Sequence, residues 1–236
     1  MENNQLSARL FFGIFALGAL FSLTLAVLAT WSDLEAAFYG FERRASTPLP
    51  GLHCPILLNR NETGTVSVKV SNTTKQKLSP SIRAEFSSPL TPIATLDFAN
   101  LDPGKSQTMQ WTIGPQNIDL GQFIFSKVLI YSSYPIPDRE NTCGTFIVDV
   151  PLPGNILVGL LLGLGLAGMG GGLGWLWRTQ TKNADTMRPL RPITFLGVVI
   201  TVALIASLAG FWLQALLLLA VVLIMMIVTL NFLVFR

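Results

Sequence analysis

Two cysteines, one histidine and three aspartates are the residues of this chain whose types and spacing bear on chemistry. Cys54 and Cys143 are the two thiols among 236 residues, and His53 is the single imidazole. A zinc site built on His53, Cys54 and Cys143 stops at three ligands where a structural zinc takes four, and the spacing matches no finger or haem-attachment pattern. A disulfide is the simpler chemistry. Closing a loop of about 90 residues stabilises by roughly 4–5 kcal/mol in the chain-entropy account, and it ties the segment after Pro48-Leu49-Pro50-Gly51 to the last strand of its domain. Acid–base catalysis by histidine would rest on His53 alone, which reads as a turn residue open to solvent. Asp97, Asp102 and Asp119 are the carboxylates that an enzyme of lipid-linked substrates would use. No nucleophile–base constellation, phosphate loop or metal cluster accompanies them, so the expectation is no catalytic residue, no metal site and no cofactor, and no cofactor-binding residue is assigned.

The elements that carry these residues follow from hydropathy. Half of the chain is hydrophobic and 12% is charged, a balance that fits a chain divided between lipid and water. Residues 193–236 hold no charged side chain before Arg236. As one helix that run would be about 66 Å long, roughly twice the hydrocarbon thickness of a bilayer. It is read as two spans, 193–211 and 214–235, turning at Gly210-Phe211-Trp212-Leu213-Gln214. Residues 10–31 and 155–177 are two further apolar stretches, both ending in tryptophan. Trp31, Trp175, Trp177 and Trp212 are the expected interface anchors.

Charge sets the expected orientation. The N-terminal segment 1–9, the basic loop 178–191 (Arg178, Lys182, Arg188 and Arg191 against Asp185) and the C-terminus hold six bases and two acids, whereas residues 32–153 hold ten bases and eleven acids. Short basic loops stay on the cytoplasmic side. The expected arrangement is therefore a multi-pass protein of the cell (plasma or inner) membrane, with four transmembrane helices, N-terminus and C-terminus inside, and residues 32–153 outside. The basic pI reflects this bias and not nucleic-acid binding. A cleavable signal peptide is the alternative for the first span, given Val27-Leu28-Ala29, but its apolar run exceeds the usual 7–15 residues of such a signal.

Residues 45–153 have a different texture. Val66, Val68 and Val70, then Ile82, Ala84 and Phe86, then Met109, Trp111 and Ile113, then Phe146, Val148 and Val150 alternate with neighbours that are mostly polar. Period two places one face of each strand in a core. Asn61-Glu62-Thr63-Gly64, Ser71-Asn72-Thr73-Thr74, Asp102-Pro103-Gly104 and Ile113-Gly114-Pro115 supply the turns. The pattern predicts an antiparallel β-sandwich between the first two spans. The run 123–131 is apolar on both faces: a central strand covered twice, or a strand with one face docked on a partner or on the chain's own helices. Leu101-Asp102-Pro103-Gly104-Lys105-Ser106 followed by Met109-Gln110-Trp111-Thr112-Ile113 resembles bacterial immunoglobulin-like modules of the CARDB (cell-adhesion-related) kind. The likeness covers about residues 55–150 and none of the helices. It implies an immunoglobulin-like sandwich with a core tryptophan and a binding or spacer role, without catalytic residues.

Three features remain. The second span is rich in glycine, and Gly159-x-x-x-Gly163 and Gly168-x-x-x-Gly172 place small residues where another helix can approach closely. Residues 32–44, with Trp31, Leu34, Ala37, Phe38 and Phe41 at helical spacing, read as an amphipathic helix on the membrane boundary or as an aromatic-rich linker. Asn61-Glu62-Thr63 and Asn72-Thr73-Thr74 match the N-glycosylation pattern, or are simply turns. No ionisable residue lies inside a span, and Thr201, Ser207, Thr229 and Asn231 are the polar exceptions, which argues against a transporter. The expected function is that of a non-catalytic accessory subunit of a membrane complex. Its partners would be other integral membrane subunits, membrane lipids and an extracytoplasmic protein. A free-standing surface module binding a glycan or another envelope component is the competing expectation.

Overall fold

The computed structural model describes residues 2–131, 137–180 and 190–234, with side chains for 9–131, 137–178 and 190–228. Lys182, Asp185, Arg188 and Arg236, and the side chains of Thr229 and Asn231, lie outside that description. The chain divides into two compact units, one spanning Trp31–Asn155 and the other formed by the residues before and after it.

The helical unit draws on α1 (Glu2–Phe38), α2 (Gly154–Gln180), α3 (Leu190–Leu208) and α4 (Trp212–Val234). Among the described residues, three stretches are long and apolar enough to cross a membrane: Arg9–Phe38, Gly154–Arg178 and Leu190–Leu208. Within α4, Trp212–Val228 is a shorter apolar stretch. The expected break between the last two helices occurs at Gly210, whose φ of +75° a glycine adopts without a Cβ penalty. Phe211 N–H donates to Ala206 O (3.0 Å) and Gly210 N–H to Ser207 O (3.1 Å), the paired bonds of a Schellman helix end. Phe15, Ala19, Met169, Leu196, Val199, Ile200 and Val222 form this unit's buried cluster.

In the other unit, among the described residues, nine strands form two sheets. One sheet runs β1 (Thr47–Pro48), β9 (Arg139–Val148), β8 (Phe123–Tyr131), β5 (Ser81–Phe86), β6 (Ile93–Phe98), with β3 (Leu57–Asn59) also on β9. The second runs β2 (Leu52–His53), β4 (Gly64–Ser71), β7 (Ser106–Ile113). The alternating residues behave as their period requires: Val66, Val68, Ile82, Ala84 and Ile113 are fully buried and form the core between the sheets with Ile124, Val128 and Ile147. Turn chemistry closes β-connections where expected, with Gly104 at φ +71° and Lys105 N–H bonded to Asp102 O at 3.0 Å.

Three expectations need correction. The sandwich is not wholly antiparallel, because β1 and β3 both pair parallel to β9. On β9 the core-facing residues are Thr145 and Ile147, partners in parity of Cys143, while Phe146 joins a second cluster on the other side of the sheet. Residues 32–44 are not a separate amphipathic helix: α1 continues to Phe38, and its face at Ser32 and Ala36 is buried, whereas Phe38 stays exposed.

Candidate functional site

The strand with two apolar faces explains the end of α1. Even-numbered residues of β8 face the inter-sheet core; Phe123 and Phe125 face the other way and cluster with Ala36, Tyr39, Phe41 and Phe146. Both readings of 123–131 therefore hold together: the strand is central in its sheet and its second face is covered by the chain's own helix end. Gly144 makes this docking possible, since a Cβ there would collide with the Ser32 backbone. The Ser32 hydroxyl donates to Gly144 O (3.3 Å), and Gly144 N–H donates to Asp33 (3.0 Å). Trp31 lies 6.0 Å from Phe123 and donates from Nε1 to Glu35 (2.9 Å).

Beyond Phe38 the chain forms a strap over the same face. The Tyr39 ring lies 4.5 Å from that of Phe125, and its hydroxyl donates to Asp119 at 2.6 Å. Burial and this carboxylate push the Tyr39 pKa up to about 12. Beneath the strap, Lys127 pairs with Glu140 at 3.2 Å and donates to the Glu42 carbonyl; its side chain is 3% exposed. A cavity of about 350 Å³, lined by Tyr39, Phe41, Lys127 and Glu140 among others, lies here. Lys127 and Glu140 neutralise each other in its wall, and Arg43 is a further cation of the lining.

The residues singled out from the sequence fall as follows. Cys54 and Cys143 form the disulfide, with Cα atoms 6.1 Å apart. It joins the chain just after β2 of the second sheet to β9 of the first and so staples the sandwich across its core. His53 sits exposed on β2 opposite Ser67. The three aspartates are each held by a structural partner: Asp97 accepts from Trp111 Nε1 (2.7 Å), Asp102 pairs with Lys77 (3.5 Å), and Asp119 takes the Tyr39 hydroxyl. Trp111, the residue expected in the core, is half-buried at its margin. Asn72 is 1% exposed and its amide donates to Gln76 O (2.7 Å) and Leu101 O (2.9 Å), so that acceptor pattern is turn chemistry; Asn61 is exposed.

The helix-packing glycines separate into two sets. A Cβ on Gly168 would stand 2.8 Å from Gly18 Cα, and one on Gly172 2.8 Å from the Phe11 carbonyl oxygen, so both lie against α1. Gly159 and Gly163 do not: a Cβ there meets nothing within 4 Å. The seam is instead Gly165, Gly168 and Gly172 on α2 against Gly18 and Ser22 on α1. Gly165 is one of the glycines of the second span but belongs to neither G-x-x-x-G pair, and Gly18 lies in no such pair, although the spacing 165, 168, 172 is itself a helical face. Trp175 stacks on Phe11 (4.5 Å), Trp177 donates to Thr194 Oγ1 (3.1 Å), and Trp212 opens α4 half-buried. Ser207 shares a 2.5 Å hydrogen bond with Thr30 and donates to Ala26 O at 3.0 Å, while Thr201 bonds its own helix at Gly197 O.

No protein-family model and no curated protein matches the chain. Among solved structures it is similar to the CARDB domain of the PF1109 protein from Pyrococcus furiosus (12% identity, 46% of this chain, 95% of that one, TM-score 0.34). It is also similar to a cycloisomaltooligosaccharide glucanotransferase from Paenibacillus sp. (12% identity, 45% of this chain, TM-score 0.34) and to a β-glucosidase from Listeria innocua (15% identity, 42% of this chain, TM-score 0.29). The chain spans only 15% of the length of each of these two enzymes. Likenesses at such scores carry no argument, and the sandwich rests on the strand pairing of this chain itself.

Proposed function

We propose that this protein is a non-catalytic accessory subunit of a multi-subunit membrane complex. In this reading the chain crosses the bilayer four times with both termini on the cytoplasmic side, and the sandwich stands on the opposite face toward an extracytoplasmic protein partner. The observation that supports it is the second glycine face of α2. Gly165, Gly168 and Gly172 are used against α1, yet Gly159, Gly163, Gly170 and Gly174 share another face on which a Cβ meets nothing within 4 Å. In lipid, helix association depends on close packing because apolar burial gains nothing over lipid tails. A helix with glycines on two faces, one of them against α1, and with α3 touching it at Leu173 and Trp177, fits a further neighbour from another subunit on the other face.

The test is purification in mild detergent from the native membrane. A stoichiometric integral membrane partner that is lost in Gly163→Leu and kept in Gly171→Ala supports the reading. A chain that migrates alone, or a partner indifferent to Gly163→Leu, refutes it. Binding of envelope glycan by the lone chain would point to the surface-module reading instead.

A further inference from the structure

The end of the sandwich from which the chain leaves for its helices carries unexplained apolar tips. Asp119 and Phe123 exchange backbone hydrogen bonds (2.8 and 3.1 Å) around a three-residue turn. Its first two residues are both left-handed, Leu120 at φ +46° and Gly121 at φ +80°. Among the described residues Leu120 is the one non-glycine residue with positive φ. Asparagine or glycine adopts that conformation readily and leucine does not. Leu120 is also 63% exposed, so the turn is disfavoured both by its backbone and by hydration of its side chain. Leu90, in the loop between β5 and β6, is 94% exposed.

These two tips are neighbours. The Ser87 hydroxyl donates to Asn117 O at 2.6 Å, and the Tyr39 hydroxyl lies between Asp119 and the Ser88 backbone. Both chain connections meet them. Trp31 packs near Phe123, three residues past Leu120; Arg60 donates to Gly121 O (3.2 Å); and Gly154 N–H donates to Glu62 (2.7 Å) at the start of α2. Leu152, on the same connection, is 40% exposed. The other end of β4, about 23 Å away along the strand, carries Ser71-Asn72-Thr73-Thr74-Lys75-Gln76-Lys77, and at that end β6 closes on Phe98, 63% exposed. What sets the Leu90 and Leu120 end apart is that both connections to the apolar helices leave from it, with Leu152 exposed on one of them.

We infer that Leu90 and Leu120 insert into the headgroup layer of the bilayer and seat the sandwich on the lipid surface. The inference rests on the helices spanning that bilayer. Both native cysteines are paired, so single cysteines at Leu90→Cys, Leu120→Cys, Thr74→Cys and Leu164→Cys can each carry a nitrobenzoxadiazole probe. The full chain is reconstituted in phosphatidylcholine vesicles with and without lipid bearing a nitroxide near the headgroup or along its chain. The expected result is quenching at 90 and 120 by the shallow nitroxide with loss of iodide quenching, while 74 stays open to iodide. The probe on Leu164, in α2, reports insertion of the helices: failure there removes the spanning reading itself. Quenching at 164 with 90 and 120 as open to iodide as 74 overturns the inference. Protection from iodide at 90 and 120 without nitroxide quenching also overturns it, because protein and not lipid then covers the tips. Leu120→Asn relaxes the turn and keeps the disulfide; it is expected to lower the nitroxide quenching at 90, and unchanged quenching there counts against insertion at Leu120.

Discussion

Alanine substitution along the glycines of α2 and at Gly18 distinguishes a packed face from an open one. A Cβ on Gly18 would stand 2.5 Å from Met169 N and 2.7 Å from the Gly168 carbonyl carbon; one on Gly168 would stand 2.8 Å from Gly18 Cα. All three obstacles are backbone, so no rotamer can yield. Restoring an ordinary contact of 3.4 Å parts the helices by about 0.6–0.9 Å. A gap of that size forfeits a quarter to a half of each well of about 0.1–0.2 kcal/mol, or roughly 1 kcal/mol over a seam of about 20 atom pairs. Residual overpacking raises the cost toward about 1–3 kcal/mol. Alanine returns up to about 1 kcal/mol of helix propensity over glycine. The net expectation is a loss of about 1–2 kcal/mol for Gly18→Ala and Gly168→Ala. Gly163→Ala and Gly170→Ala, where a Cβ meets nothing, should be unchanged or stabilised by up to about 1 kcal/mol. Reversible unfolding of the purified chain in mixed dodecylmaltoside–dodecylsulfate micelles measures this. Tryptophan emission is the signal, Trp175 on Phe11 being the local reporter. Equal shifts at Gly163 and Gly168 would refute the reasoning.

Reduction, or Cys54→Ser with Cys143→Ser, should lower sandwich stability by about 4–5 kcal/mol, the chain-entropy value for a separation of 89 residues; urea unfolding followed by circular dichroism reads it. Glu140→Gln leaves Lys127 charged and buried without its partner and should cost about 3–5 kcal/mol in the same assay, whereas the double change Lys127→Met, Glu140→Leu should cost less. Tyr39, raised to about 12 from 10.0, contributes stability that is fully present below about pH 10 and is lost as pH rises through about 12. Tyr39→Phe should flatten that alkaline slope, and an unchanged slope would show that the phenol is not responsible.

What could be read from the sequence divides by the range of the interactions involved. Alternation at Val66–Val70 and Ile82–Phe86, the Pro103-Gly104 turn and the break at Gly210 are local patterns, and each lies in the fold as its pattern requires. β6 was missed: its residues are exposed on both faces except near Asp97, so no period-two contrast marks it. The parallel pairs of β1 and β3 with β9 escaped for another reason. Strands of two or three residues carry no period, and only their long-range partner defines them.

The amino-acid sequence by itself determined the helices' apolar lengths, the inserted β-rich segment and the opportunity for one disulfide, because hydropathy, side-chain period and cysteine count are properties of neighbouring residues. Tertiary structure alone decided which glycines of α2 are covered, that the end of α1 docks on Phe123 and Phe125 through the bare Gly144, and that Asp97, Asp102 and Asp119 are held by Trp111, Lys77 and Tyr39. A glycine or a carboxylate has the same local signal whether it meets solvent, lipid or another backbone. What distinguishes the cases is a neighbour tens of residues away, and only folding supplies it.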